Sequence, residues 1–351
     1  MNQNSSIFIE LLQVALGSRT ELTRMPSDVE WKELFATAQK QAVAALILPV
    51  VDSMTAKGLR LPQQIVIEWI GISEQTVANN KVVNQRCLDI SQLFTKAGFR
   101  TCILKGQGNG LFYDNPLVRA PGDIDIWVDA DRKSITNFVK ERFPDAEESN
   151  LHIDYPVFND VPVEVHYRPT MARSYKYDMR LQSFYDTWAD ECFANKVSLG
   201  GGSVCVPVPE LNVVMQLSHV MNHFFEEGIG LRHVVDYFYL LKNTGFDRPK
   251  MGNKIASLGM GKFNRAMMWV LHHELGLEEK YLTAKPDKKR GVLLMNEIMV
   301  GGNLGRYDQR FKKLYKKSPL VYKIARNARF TFLFPMESFL SPLVAKIYRK
   351  R

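Results

Sequence analysis

Asp123 and Asp125, two apart among Ile124, Ile126 and Val128, are the side chains of this chain best placed to do chemistry. Residues at i and i+2 of a strand share a face, with a rise of about 3.3 Å per residue, so these carboxylates project together roughly 6 to 7 Å apart at the backbone. That spacing suits a shared magnesium site for phosphate chemistry. Magnesium takes oxygen ligands, and two divalent ions about 3.5–4 Å apart neutralise a polyphosphate while activating an oxygen nucleophile. An ordinary core strand is not built this way, because unpaired buried charge is costly. Asp125→Asn is expected to relieve repulsion between neighbouring carboxylates and to leave stability unchanged or raised. Glu164, between Val163 and Val165, offers a third carboxylate on a second strand, pointing away from the face its valines bury. Asp154 and Asp160 are the rival acids, and Asp160 falls in a turn. His166 shares the Glu164 face, where it orients a ligand, contacts phosphate or serves as an ordinary strand histidine.

Phosphate chemistry also needs positive charge and close approach of backbone. The run Lys105-Gly106-Gln107-Gly108-Asn109-Gly110 follows the apolar strand Thr101 to Leu104 and opens a short helix to Tyr113. Backbone N–H groups in such a turn approach a triphosphate with no side chain in the way. Lys105 or Arg119 adds cationic charge, although Arg119 fits an ion pair with Asp123 or Asp114 equally well. No GxxxxGK[ST] segment is present, which argues against a P-loop ATPase. Arg232 and Asp236, four apart, fit either an intrahelical ion pair or a substrate contact. His219 and His223 have the same spacing but lack the glutamate of a zinc-binding HExxH helix.

Positioning these groups takes a small sheet and flanking helices. Trp31, Leu34, Phe35, Ala38, Ala42, Ala45 and Leu46 follow Asp28, a candidate N-cap, at helical spacing. Pro62 starts a long helix to about Ala97, and Gly98 ends it. Strands are expected at Thr101 to Leu104, Asp123 to Val128, His152 to Phe158 and Val161 to Tyr167, with a helix from Asp131 to Phe143. A hairpin through Gly200-Gly201-Gly202 closes this unit, and helices resume at Glu210 and again at Arg232.

The run LKGQGNGLFYDNPLVRAPGDIDIWV resembles the uncharacterised nucleotidyltransferase-family proteins of bacteria, a branch of the polymerase-beta-like nucleotidyltransferase superfamily. The superfamily's glycine turn corresponds to Gly106, its D-x-D strand to Asp123 and Asp125, and its third acid to Glu164 in VEVHYRP. Gly228 to Asp236 and Gly301 to Gly305 resemble downstream motifs of the same branch. Gly106 is followed by Gln107 where the superfamily usually has Ser or Gly, and the gap from Gly106 to Asp123 is longer than usual. The resemblance implies an α+β fold with three parts: an N-terminal helical region (1–99), a nucleotidyltransferase-like α/β core (100–207) and a C-terminal helical region with a basic tail (208–351). It implies an enzyme that moves an NMP group from an NTP to an unidentified acceptor, releasing pyrophosphate. Mg2+ (or Mn2+) would be held by Asp123, Asp125 and Glu164, and the triphosphate by Lys105, Gly106 and Arg119. The alternatives are a catalytically inactive nucleotide- or polyanion-binding regulator, and a metal-dependent phosphohydrolase.

Composition narrows the setting. The chain has 351 residues, 46% of them apolar and 24% charged, as soluble globular proteins do. No run of 18 apolar residues suggests a membrane span, and Met1 to Gly17 reads as an amphipathic helix rather than a secretory signal. Cys87, Cys102, Cys192 and Cys205 form no CxxC pair, which argues against zinc and a disulfide framework and for the cytoplasm. Residues 306–351 carry 13 Lys or Arg against two acids, while the other 305 residues sum to −2. Such a tail fits contact with nucleic acid, acidic lipid or another polyanion, or a solvated helix face.

Overall fold

Ile124, Ile126 and Val128 alternate with Asp125 and Trp127, so the central strand has one apolar face and one mixed face. The fold is built on that split. The computed structural model describes residues 3–56, 61–311 and 318–340. Strands β1 (Thr101–Ile103), β2 (Ile124–Val128), β3 (His152–Asp154) and β4 (Val163–His166) form a mixed four-stranded sheet in the order β1-β2-β4-β3. β2 and β4 are parallel, and β1 and β3 flank them antiparallel; the short helix α5 (Gln107–Gly110) lies between β1 and β2 in the chain. The apolar face buries Ile124, Ile126, Val163 and Val165 against Ile135 and Val139 of α6 (Arg132–Lys140). Asp131 caps α6 by accepting from the Ser134 N–H at 3.1 Å.

Helix α4 (Gln63–Lys96) joins this sheet to the rest of the molecule. Its 34 residues span about 50 Å at 1.5 Å per residue. Val83, Cys87, Ile90 and Phe94 enter the sheet core, whereas Ile65 and Trp69 enter a second, larger core. That second core draws on both ends of the chain. Helices α1 (Gln3–Ala15), α2 (Asp28–Lys40) and α3 (Ala44–Ala56) supply Phe8, Leu12, Trp31 and Ile47. Later helices, including α8 (Pro209–Glu226) and α9 (Leu231–Asn243), add Phe224, Phe225, Tyr237 and Phe238. The α+β fold class expected from the sequence is the one found: helices surrounding sheets of four and two strands. Among the described residues no helix is long and apolar enough to cross a membrane.

Four local expectations need correction. The periodic run from Asp28 to Leu46 is two helices, because Ala42 takes φ 56° and breaks the path after Lys40. The α2 N-cap is Ser27, one residue before Asp28, closed by a capping box with Glu30. The hairpin β5 (Lys196–Leu199) and β6 (Gly202–Cys205) forms a sheet of its own beside β1 and does not extend the first. Helix α7 (Tyr175–Ala194), which the sequence reading passes over, places Leu181, Tyr185 and Cys192 in the larger core.

The basic tail is partly absorbed by the fold. Arg310 pairs with Glu297 and Asp308, each at 2.8 Å, and Arg329 pairs with Glu297 at 3.0 Å. Arg326 is buried and donates to the Phe224 carbonyl at 2.6 Å. Lys312, Lys313, Lys316 and Lys317, four of the thirteen cations behind the polyanion expectation, lie outside the described residues.

Candidate active site

The register of β2 against β4 sets Asp125 directly beside Glu164 on the mixed face, and Asp123 follows the same alternation just before β2. One carboxylate oxygen from each of Asp123, Asp125 and Glu164 lies within 4.8 Å of the others. The three line a cavity of about 1280 Å³ between the sheet and helices α8 and α9. Of the rival acids, Asp160 pairs with Arg86 at 2.8 Å on the surface, and Asp154, opposite Glu164 in the β3–β4 register, is half exposed at the sheet edge.

The charges in this cluster are unequally matched. Asp125 is 4% exposed, with Lys105 Nζ at 2.7 Å and His166 Nε2 at 2.8 Å from its Oδ1. Burial alone would raise its pKa, but Lys105 and His166 hold the carboxyl well below the usual range. Asp123, at the open mouth, is raised, first by the Asp125 charge and then by desolvation. Glu164 is opposed by burial yet lowered by its His166 hydrogen bond. His166 in turn is raised, because the Asp125 and Glu164 carboxylates outweigh its burial. Lys105, proposed from the sequence for phosphate, sits within the carboxylate cluster as its fixed cation.

Gly106 turns the chain into the site at φ 53° and ψ −107°, a conformation open to glycine and strained for any side chain. A Cβ there would lie 3.5 Å from the Asp123 carbonyl oxygen, so the turn rests against the strand that carries the aspartates. The departure at Gln107 has a structural reason. Its buried amide donates to Asn84 and, at 3.2 Å, to Asn80, both on α4 and neither of them lining the cavity. Asn80 also donates to the carbonyls of Leu117 (2.8 Å) and Arg119 (2.7 Å), which fixes the long segment between Gly106 and Asp123.

Arg119 has a partner that neither sequence alternative named. Its Nε and Nη2 grip Asp236 of α9 at 2.8 and 2.9 Å, Tyr113 donates to the same carboxylate at 2.6 Å, and Arg119 Nη1 reaches the Ala120 carbonyl at 3.4 Å. Both charges are buried. Arg119 is therefore a strut in the cavity wall, with most of its donors used. Asp236, committed to Arg119, forms no intrahelical pair with Arg232. Among the described residues Arg232 has no ion-pair partner: Nη1 meets only the Ala120 carbonyl at 3.2 Å, and Nε is buried without a bond. Its guanidinium stands 3.7 Å from where a Cβ on Gly122 would be, next to Asp123.

The two glycine motifs beyond the core meet backbone to backbone. A Cβ on Gly230 would fall 2.8 Å from Asn303 Cα, and one on Gly305 would fall 1.8 Å from the Glu227 carbonyl oxygen. Gln41, at the break after α2, accepts from the Leu231 N–H at 2.9 Å and donates to the Ile298 carbonyl at 3.0 Å. This junction seats the start of α9, hence Arg232 and His233, in the cavity wall.

His219 and His233 also line the cavity, which the sequence reading did not foresee. Burial, then the nearby Lys105 ammonium, holds His219 well below the usual histidine range, and burial with Arg232 does the same for His233. In the unfolded chain both protonate near pH 6.5, so acidification below that favours unfolding by up to about 1.4 kcal/mol per pH unit for each. Urea denaturation should show stability falling between pH 7 and 5, with a shallower fall in His219→Asn. His166 acts in the opposite direction in both proteins and cancels in the comparison. Equal slopes would contradict the assignment.

No curated protein matches the chain. Among solved structures it is similar to an antigenic nucleotidyltransferase-like protein from Paracoccidioides brasiliensis, at 14% identity, covering 59% of this chain and 94% of that one, with a TM-score of 0.30. That likeness is too slight to bear on function. The family described as uncharacterised nucleotidyltransferase matches residues 27–276, a span that includes the glycine turn, all three carboxylates and the junction at Gly228 to Asp236. With most of its length matched in this way, the chain belongs to the uncharacterised nucleotidyltransferase family.

Proposed function

We propose that the chain transfers an NMP group from an NTP to an acceptor at the Asp123–Asp125–Glu164 cluster, releasing pyrophosphate. The observation that carries this reading is the convergence of three carboxylates from two adjacent strands, within 4.8 Å of one another, on the wall of a cavity. The donor set fits Mg2+ or Mn2+: all oxygen, with Asp123 at the open mouth and raised by its neighbour's charge. When bound, such an ion neutralises polyphosphate charge and eases deprotonation of an acceptor hydroxyl.

The chain's own groups do the rest. Asp125 is locked in one orientation by Lys105 and His166. Gly106 leaves room for phosphate oxygens beside the strand, and Arg232 supplies a guanidinium that no carboxylate among the described residues pairs with. Arg119, through Asp236, holds the wall between them. The cavity, at about 1280 Å³, exceeds the roughly 300–1,000 Å³ of a single small-molecule site, so an NTP and part of an acceptor fit together.

Because the ligands are side chains on a sheet with its own apolar core, the ion is needed for activity and not for folding. Full-length protein incubated with labelled NTP, Mg2+ and a cell extract should label an acceptor. Chelation should abolish that labelling while leaving far-UV circular dichroism and the melting temperature nearly unchanged. Loss of the fold on chelation would contradict the reading.

A further inference from the structure

Beside the all-oxygen cluster lies a second group of donors of different chemistry. His152 and His166 are register partners across β3 and β4, so their rings project from the same face as Glu164, with centroids 5.3 Å apart. His152 Nδ1 is 3.1 Å and His166 Nε2 is 3.4 Å from the same Glu164 oxygen, Oε2. Two ligands about 2.1 Å from one ion, at angles of about 90 to 110°, stand about 3 to 3.5 Å apart. One donor atom from each of the three residues lies within 4.8 Å of the other two.

Three further features point to an ion. First, His152 Nδ1 is buried and has no hydrogen-bond partner among the described residues, since its approach to Glu164 is off the line a hydrogen bond needs. Second, the other nitrogen of each ring has an acceptor behind it. His166 Nδ1 is 3.3 Å from the Arg168 carbonyl, and His152 Nε2 is 3.6 Å from Asp154 Oδ1. Metal-bound histidines are oriented by such outer partners. Third, all three residues open onto the cavity, which gives an ion a way in.

We propose that His152, His166 and Glu164 form a nitrogen-rich metal position for a first-row transition ion such as Fe2+, Co2+ or Zn2+. Imidazole donors favour those ions over Mg2+, which prefers oxygen. The hydrogen bond from His166 Nε2 to Asp125 is what an ion here displaces. This position shares Glu164 with the proposed transfer site but rests on donor geometry alone.

The test uses metal-free full-length protein, saturated with Mg2+ and then titrated with Co2+, followed by visible absorption and by proton NMR for strongly shifted, exchangeable imidazole N–H signals. Two such signals are expected, with Co2+ retained against excess Mg2+. Asp123→Asn should keep both, and His152→Ala should lose one and weaken Co2+ binding by more than about 100-fold. Asp154→Asn, at an exposed edge, should weaken binding by about 10–100-fold and serves if His152→Ala fails to fold. Absence of shifted imidazole signals in the unsubstituted protein, or displacement of Co2+ by Mg2+, overturns the proposal. NTP labelling with Mg2+ alone is unaffected by that failure, and the Co2+ signals are unaffected by a failure of labelling.

Discussion

Asp125→Asn should lower NMP transfer by roughly three orders of magnitude, equivalent to ~4 kcal/mol of lost transition-state stabilisation. The same substitution should also cost stability, about 1–3 kcal/mol, because Lys105 and His166 lose the charge they bind at 2.7 and 2.8 Å. This reverses the expectation drawn from the two-apart spacing alone. Relief of repulsion belongs instead to Asp123, which is exposed and raised chiefly by the Asp125 charge. Asp123→Asn should therefore lose transfer to a similar degree while its stability stays level or rises. Labelling kinetics and urea denaturation on both variants check the pair. Near-normal turnover in both would place the chemistry elsewhere.

Asp236→Ala should destabilise the protein by about 3–5 kcal/mol, the usual cost of stranding one member of a buried ion pair. Arg119 would keep its charge with both carboxylate contacts gone, and the Tyr113 hydroxyl would lose its acceptor. Replacing both members with apolar residues of similar size, Arg119→Met with Asp236→Leu, should recover most of the loss. A single-variant cost below about 1 kcal/mol, measured by chemical denaturation, would contradict a buried strut.

Sequence pattern carried the site where the pattern was local. Alternation placed Asp123, Asp125 and Glu164 on one face because Ile124, Ile126, Val163 and Val165 claim the other. Pro62 and Gly98 bounded α4 because proline's fixed φ suits a helix start and glycine tolerates the positive φ that ends one; Gly98 takes φ 86°. What was not legible depends on contacts between distant segments. The partner of Arg119 lies 117 residues away on α9, and no spacing rule reaches it. The approach of His152 to Glu164 follows from the β3–β4 register, which is set by Ile153 packing in the sheet core. The fit of Gly228 to Gly230 against Asn303 to Gly305 explains two glycine motifs that the sequence shows only as separate runs. Helix α7 escaped because its exposed Tyr175 and Met179 blur the apolar stripe.

Whether the carboxylate cluster moves an NMP group is decided by supplying one NTP labelled at the α-phosphate and, in parallel, at the γ-phosphate, with Mg2+ and the cell extract. The α-label should enter an acceptor and the γ-label should leave as pyrophosphate, both lost in Asp125→Asn. Release of γ-label as free phosphate with no α-label in any acceptor would contradict NMP transfer and identify the cluster as a phosphohydrolase site.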